Sequence, residues 1–265
     1  MIKHLIVAVM LFLAISYSSE ATEPRAQDGA VAADVMRQIA KLQSGSPKQI
    51  IDASQELAEM GPKAAPSVPY LIELIDSNEK YESLWEKIWN SVAILNSSCR
   101  YVNYESQHAL IRIGKPAVEP LSAALLKHPR SRVRGNAAIV LGNIKDLWSV
   151  GPLIESLRTD DSYEVRMWSA DALGKMSEMW SIDSLKNAVQ ALIEGLIDRD
   201  PNVRQKAAYS LGKMKTMEAV PALIEALQSY GRDSDAGLAL FMITHQRLGD
   251  DPQKWREWWH KNKPR

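Results

Sequence analysis

The sequence of 265 residues contains a single cysteine, Cys99, so no disulfide bond can form within the chain. It also lacks an excess of charge of either sign, because 32 Lys and Arg residues balance 32 Asp and Glu residues. Proteins that bind nucleic acid draw much of their affinity from a clustered basic surface. The sequence therefore disfavours a nucleic-acid partner, and the fold must be stabilised by packing alone.

Motifs of catalysis are also missing. The histidines at positions 108, 128, 245 and 260 have no paired spacing, and the chain has no Gly-rich phosphate loop, nucleophile elbow or cysteine cluster. We therefore expect a protein that is not an enzyme, with no catalytic residue, no metal site and no cofactor.

One long hydrophobic run is present, over residues 5–15. Lys3 gives it a basic start, and Ser19 and Ala21 place small side chains at the two positions that a signal peptidase reads. The run is short for a membrane span, which needs roughly 20 residues. This pattern predicts a cleaved signal peptide over residues 1–21 and an exported protein, periplasmic or secreted. An uncleaved membrane anchor is the alternative.

An internal repeat organises the rest of the chain. Its first landmark is a valine that opens an apolar segment, at Val68, Val118, Val150, Val189 and Val220. Its second landmark is a Val-Arg pair whose valine precedes a Leu-Gly pair by eight residues, at Val133, Val165 and Val203. Apolar residues at i, i+3, i+4 and i+7 predict two helices in each unit, and the pairs must stack to bury their apolar faces. The glycines of the Leu-Gly pairs are predicted to lie near the ends of the second helices.

This pattern of an apolar helix, an acidic turn, Val-Arg, Ala-Ala and Leu-Gly resembles the HEAT repeats of phycobilin-lyase-like bacterial proteins. The resemblance implies an all-α fold, an α-solenoid wound as a right-handed superhelix of about five to six helix pairs. We predict a flexible lead-in over residues 22–30 and the solenoid over residues 31–250, with an insertion at about 77–107. The insertion aromatics, such as Trp85 and Trp89, are expected to form a local core rather than a ligand patch.

A Trp-rich helix is predicted over residues 251–265, with Asp251 as its N-cap and Pro252 at its first position. Three tryptophans, Trp255, Trp258 and Trp259, then fall on one helical face. A solenoid must cover its last apolar surface, so this helix is predicted to cap the C-terminal end.

A column of arginines follows the second landmark: Arg134, Arg166 and Arg204. The resemblance to HEAT repeats implies that these side chains bond an acidic residue or a carbonyl group in a neighbouring turn. The expected acidic partners are Asp160, Asp161 and Asp200. An anion-binding ladder is the alternative interpretation.

The solvent face of the second helices, which is expected to line the inner, concave surface of the solenoid, is the predicted contact surface. At about 100° per residue from Val133, the positions opposite the apolar stripe can be identified. They predict partner-binding residues at Asn136, Ile139, Trp168, Asp171, Lys206 and Tyr209. Exposed Trp and Tyr beside scattered charges are typical of protein-binding surfaces. The alternative is that Trp168 only covers a seam between helices.

Together these features predict a non-catalytic protein-binding or scaffold module outside the cytoplasm. Its partner is a protein of unknown identity, with no membrane contact once the signal is removed, and the oligomeric state stays open. The alternative function is an accessory or lyase-like factor that acts on a small ligand or a cofactor-bearing protein. A shallow groove would favour the scaffold, and a deep pocket beside the insertion would favour the lyase-like factor.

Overall fold

The computed structural model describes residues 26–77, 80–81, 100–231 and 235–263, with only the backbone described for 26–28, 80–81 and 100–101. The predicted signal peptide and the insertion residues Trp85, Trp89 and Cys99 lie outside this part of the chain. Within it, no helix is both long and apolar enough to cross a bilayer.

The described residues form thirteen α-helices. The first six are α1 (Ala26–Ser44), α2 (Pro47–Met60), α3 (Val68–Leu74), α4 (Val102–Ile113), α5 (Val118–Lys127) and α6 (Ser131–Ile144). The others are α7 (Val150–Thr159), α8 (Tyr163–Met176), α9 (Lys186–Gly195), α10 (Pro201–Met214), α11 (Val220–Tyr230), α12 (Ala236–Thr244) and α13 (Pro252–Asn262). Helix α1 begins before residue 31, so part of the predicted flexible lead-in is helical.

Successive helices pair, and the pairs stack into two layers. In the second layer, α2 packs on α4, and α6, α8, α10 and α12 pack on one another in turn. In the first layer, α5 packs on α7 and α7 on α9. The repeated valines and leucines lie between the layers, where Val133, Val165 and Val203 are fully buried. The arrangement confirms the predicted all-α solenoid.

The insertion after α3 is closed by two short strands, β1 (Lys80–Tyr81) and β2 (Arg100–Tyr101). They pair antiparallel, with Lys80 opposite Tyr101. Helix α4 begins directly after β2, so the insertion ends before the predicted boundary at residue 107. Residues 102–107 belong instead to the second helix of the second pair, which packs on α2.

The glycines of the Leu-Gly pairs lie near the ends of the second helices, as predicted, and each also allows a close approach between helices. A Cβ atom on Gly142 would lie 2.7 Å from the Cα atom of Ala172, so glycine lets α6 and α8 approach closely. The same relation joins Gly174 with Ser210 and Gly212 with Ala239. Helices α6 and α10 end at Lys145 and Lys215, whose φ angles of 57° and 52° are left-handed.

Helix α13 ends the described chain and packs against α11 of the first layer. Asp251 accepts hydrogen bonds from the N–H groups of Gln253 and Lys254, which confirms the predicted N-cap. Trp255 is fully buried, and its Nε1 donates to the carbonyl oxygen of Gly249 at 2.7 Å. The tryptophan face thus covers the last first-layer helix.

Candidate functional site

Trp168 and Lys206 bring α8 and α10 together on the solvent face of the second layer. The Trp168 side chain is half-buried and lies over Gly135 of α6, where an added Cβ would be 3.3 Å from its Cδ1. Lys206 lies between two aromatic rings, with Nζ 6.0 Å from the ring centre of Trp168 and 5.7 Å from that of Tyr209. Trp168 therefore covers a helix seam and also contributes to an exposed aromatic and cationic surface.

Asp171 links the two helices by charge. One carboxylate oxygen lies 3.0 Å from Nζ of Lys175, and the other lies 3.2 Å from Nζ of Lys206. Tyr209 is 39% exposed beside this pair of bridges. Four of the predicted residues therefore form one cluster together with Lys175. We call Trp168, Asp171, Lys175, Lys206 and Tyr209 the α8–α10 cluster.

Asn136 and Ile139, on α6, occupy the same face but have other contacts. The Asn136 Nδ2 donates to the carbonyl oxygen of Ile75 at 2.6 Å and so fastens the end of α3 to α6. Ile139 is half-buried, and its carbonyl oxygen accepts a hydrogen bond from Asn143 at 2.8 Å. The amide of Asn136 therefore serves the packing of the solenoid.

A second charged group, not identified from the sequence, lies at the C-terminal ends of α6, α8 and α10. Glu178 accepts hydrogen bonds from Lys145 and, at 2.9 Å, from Lys213. These two hydrogen bonds lower the pKa of Glu178 to about 2, so its carboxylate stays ionised. Trp180 holds the loop in place, because its Nε1 donates to the carbonyl oxygen of Lys145 at 2.6 Å. The signal in the sequence is the helical spacing of Asp171, Lys175 and Glu178, although α8 ends at Met176, before Glu178.

The arginine column fastens one helix pair to the next. Arg134 donates to both carboxylate oxygens of Asp160, at 2.7 and 2.8 Å, and also to Asp161. Arg166 makes the same double contact with Asp198. The predicted partner Asp200 instead caps α10, where it accepts from the N–H of Asn202. These contacts support the structural interpretation of the column.

Arg204 ends the column differently. Its guanidinium lies 4.1 Å from the ring centre of Tyr230, and its Nη1 donates to the carbonyl oxygen of Asp198 at 2.9 Å. Tyr230 follows Arg204 by the same number of residues as Asp160 follows Arg134. An aromatic ring therefore replaces the carboxylate at this step of the column.

Two depressions accompany the turns of the column. One, of about 410 Å³, includes Arg134 and Asp160 in its lining. Another, of about 360 Å³, includes Arg166 and Asp200. In the first, Arg134 bonds the side chains of Asp160 and Asp161. In the second, Arg166 and Arg199 donate to the carbonyl oxygen of Asp161. Among the described residues, no cluster of His, Cys, Asp and Glu side chains could hold a metal ion.

Solved structures that resemble this chain are helical repeat proteins. A chain of the CpcE–CpcF complex of phycocyanin lyase from Nostoc sp. PCC7120 is 19% identical, with 65% of this chain and 97% of that chain covered and a TM-score of 0.49. Yeast importin-beta (Kap95p) is 16% identical, with 88% of this chain but 35% of that chain covered and a TM-score of 0.49. A designed armadillo repeat protein in complex with the peptide (KR)4 is 18% identical, with 79% and 99% covered and a TM-score of 0.46.

No curated protein sequence matches the chain. Two overlapping segments, residues 91–174 and 150–240, match the family model described as HEAT repeats. Together they span more than half of the sequence, and their arrangement agrees with the stacked helix pairs of the structure. The chain therefore belongs to the HEAT-repeat family.

Proposed function

We propose that this protein is a non-catalytic module that binds a protein partner outside the cytoplasm, through the solvent face of α8 and α10. The observation that carries the proposal is Lys206 lying between the rings of Trp168 and Tyr209 on that face. Tryptophan and tyrosine are enriched among the residues that dominate binding energy at protein interfaces. The extracytoplasmic setting is supported by the signal-like run at residues 5–15.

The rigid support of these side chains also favours binding. Trp168 rests on Gly135, and Asp171 bridges to Lys206 on the neighbouring helix. A side chain that is already held loses less conformational entropy when a partner binds. The surface therefore offers anchors that are fixed before the partner arrives.

Affinity capture from the exported fraction of the source cells tests this proposal. The double variant Trp168→Ala, Tyr209→Ala removes both aromatic anchors. A matched control removes another exposed Trp and Tyr, Trp148 and Tyr163, which are 79% and 41% exposed and lie outside the α8–α10 cluster. Circular dichroism checks that both variants keep their helix content.

We expect the wild type and the control to retain one partner that the double variant loses. With the purified partner, loss of the anchors should weaken binding by about 2 kcal/mol or more, roughly thirtyfold in Kd. Equal capture by the folded double variant would contradict the proposal.

A further inference from the structure

We infer that the partner presents an acidic peptide segment to this face, an inference that rests on the proposed function. The surface extends from the α8–α10 cluster to the neighbouring group of Lys145, Glu178 and Lys213. Two independent features carry the inference: the sign of the local charge and the way in which the local carboxylates are already bonded.

The local charge is positive although the whole chain is neutral. Four lysines contribute ammonium groups, and only two carboxylates lie among them. The lysines are Lys145, Lys175, Lys206 and Lys213, and the carboxylates belong to Asp171 and Glu178. The low pKa of Glu178 keeps its carboxylate ionised at neutral pH. Four ammonium groups against two carboxylates leave two positive charges uncompensated within the surface. Such a surface attracts a partner of opposite charge and repels a basic one.

The bonding of the Asp171 and Glu178 carboxylates also favours an acidic partner segment. Each of their four oxygens already faces its own ammonium group, two on Asp171 and two on Glu178. A basic segment would therefore have to compete with the chain's own lysines. Each ammonium group has three N–H donors, and one contact with a carboxylate leaves donors for a second acceptor. Acceptor-rich side chains, above all Asp and Glu, fit this surplus of donors.

The aromatic rings hold the ammonium group of Lys206 in particular. Its Nζ lies over the ring of Trp168 at 6.0 Å and over the ring of Tyr209 at 5.7 Å. The faces of aromatic rings are electronegative and hold an ammonium group, and Lys206 keeps N–H donors beyond the one that faces Asp171 for a partner's carboxylate. Lys206 is therefore the expected centre of contact with the acidic segment.

Direct binding of three labelled peptides tests the inference. They share one length and carry mainly glutamate, lysine or glutamine, and their binding to the full chain is followed by fluorescence anisotropy. The charge variant is Lys206→Glu, Lys213→Glu, which leaves Trp168 and Tyr209 in place. The control is Lys127→Glu, Lys186→Glu, which makes the same change in net charge at exposed lysines of the first layer.

We expect the glutamate-rich peptide to bind best, and its Kd to rise when salt is added. The charge variant should bind it at least about tenfold more weakly, while the control keeps its affinity to within about a factor of two. Circular dichroism again confirms that both variants are folded.

The results separate the charge inference from the function. If the lysine-rich or glutamine-rich peptide binds best, or if the control loses as much affinity as the charge variant, the inference of an acidic segment is wrong. Tighter binding of a single-stranded oligonucleotide than of the glutamate-rich peptide also overturns it, because the face would then bind any polyanion. If no peptide binds while Trp168→Ala, Tyr209→Ala still abolishes capture, the binding face stands and its charge preference is wrong. If that double variant also captures normally, the proposed function fails.

Discussion

Arg166 donates one hydrogen bond to each carboxylate oxygen of Asp198, both at 2.8 Å, from Nε and Nη2. The same guanidinium donates from Nη1 to the carbonyl oxygens of Asp160 and Asp161, at 2.9 and 3.3 Å. One buried arginine therefore closes the turn of its own helix pair and fastens the turn of the next. Burial raises the pKa of Asp198, but the hydrogen bonds from Arg166 and from the Asp200 N–H outweigh it, and the pKa lies below its ordinary value.

Replacing Arg166 with alanine should lower the free energy of unfolding by about 2–4 kcal/mol, because the half-buried carboxylate of Asp198 loses two hydrogen bonds and the Asp160 carbonyl loses its donor. Urea denaturation followed by circular dichroism measures the change. The control is Arg158→Ala, which breaks an exposed pair with Glu194 and should cost no more than about 1 kcal/mol. Equal losses in the two variants would show that the column contributes no more than a surface ion pair.

Gly142→Ala should destabilise the protein by about 1–3 kcal/mol, since the new Cβ would lie 2.7 Å from both Cα and Cβ of Ala172 and push α6 from α8. Gly151→Ala is the matched control, because nothing lies within 4 Å of its added Cβ and Gly151 is in helix α7. The control should be neutral or slightly more stable, as alanine favours the helix. The melting temperatures of the two variants distinguish an effect on packing from an effect on helix propensity. A Gly142→Ala protein as stable as the wild type would contradict the close approach of α6 and α8.

Glu178→Gln should lower the stability at neutral pH by up to about 1 kcal/mol, a small value because the pair is exposed to solvent. The folded pKa of Glu178, about 2, lies below its ordinary value of 4.5, so the carboxylate stabilises the fold above that ordinary value. The contribution is lost as pH falls from about 4.5 through about 2. Urea midpoints of wild type and variant should therefore converge over this range. A difference that persists unchanged at the acidic end would contradict the proposed bridges.

Trp255→Ala should detach α13 from α11, because it removes a fully buried ring and the hydrogen bond to Gly249. A loss of about 3–5 kcal/mol is expected for a buried tryptophan. Since repeats contact only their neighbours, the loss should stay at this end of the solenoid. Hydrogen exchange should show faster exchange in α13 and unchanged protection in α6 and α8. Trp259→Ala, at a half-buried position, should have a smaller effect, and a global loss of protection would contradict a local cap.

Much of the surface was predictable because helical geometry is local. A repeat of 3.6 residues per turn fixes which side of a helix each residue occupies, so Trp168 and Asp171 on α8 could be placed on one face. The same geometry places Lys206 and Tyr209 on α10. Once two second-layer helices pack side by side, the four residues come together.

The partners of charged side chains were harder to predict. Asp198 and Asp200 lie in one turn, and only the packed position of α8 determines which of them Arg166 reaches. Lys145, Glu178 and Lys213 lie in separate units, 33 and 35 residues apart in their two bonded pairs. Their meeting depends on the loop that Trp180 fastens to Lys145.

The sequence by itself determined the helix pairs, their stacking and the N-cap at Asp251, because periodicity and capping act over a few residues. Tertiary structure alone decided that Gly142, near the end of its helix, also lies against Ala172. It also decided which carboxylate each arginine or lysine bonds. Such choices depend on distances between neighbouring helices, and those distances are set only when the side chains of both helices pack together.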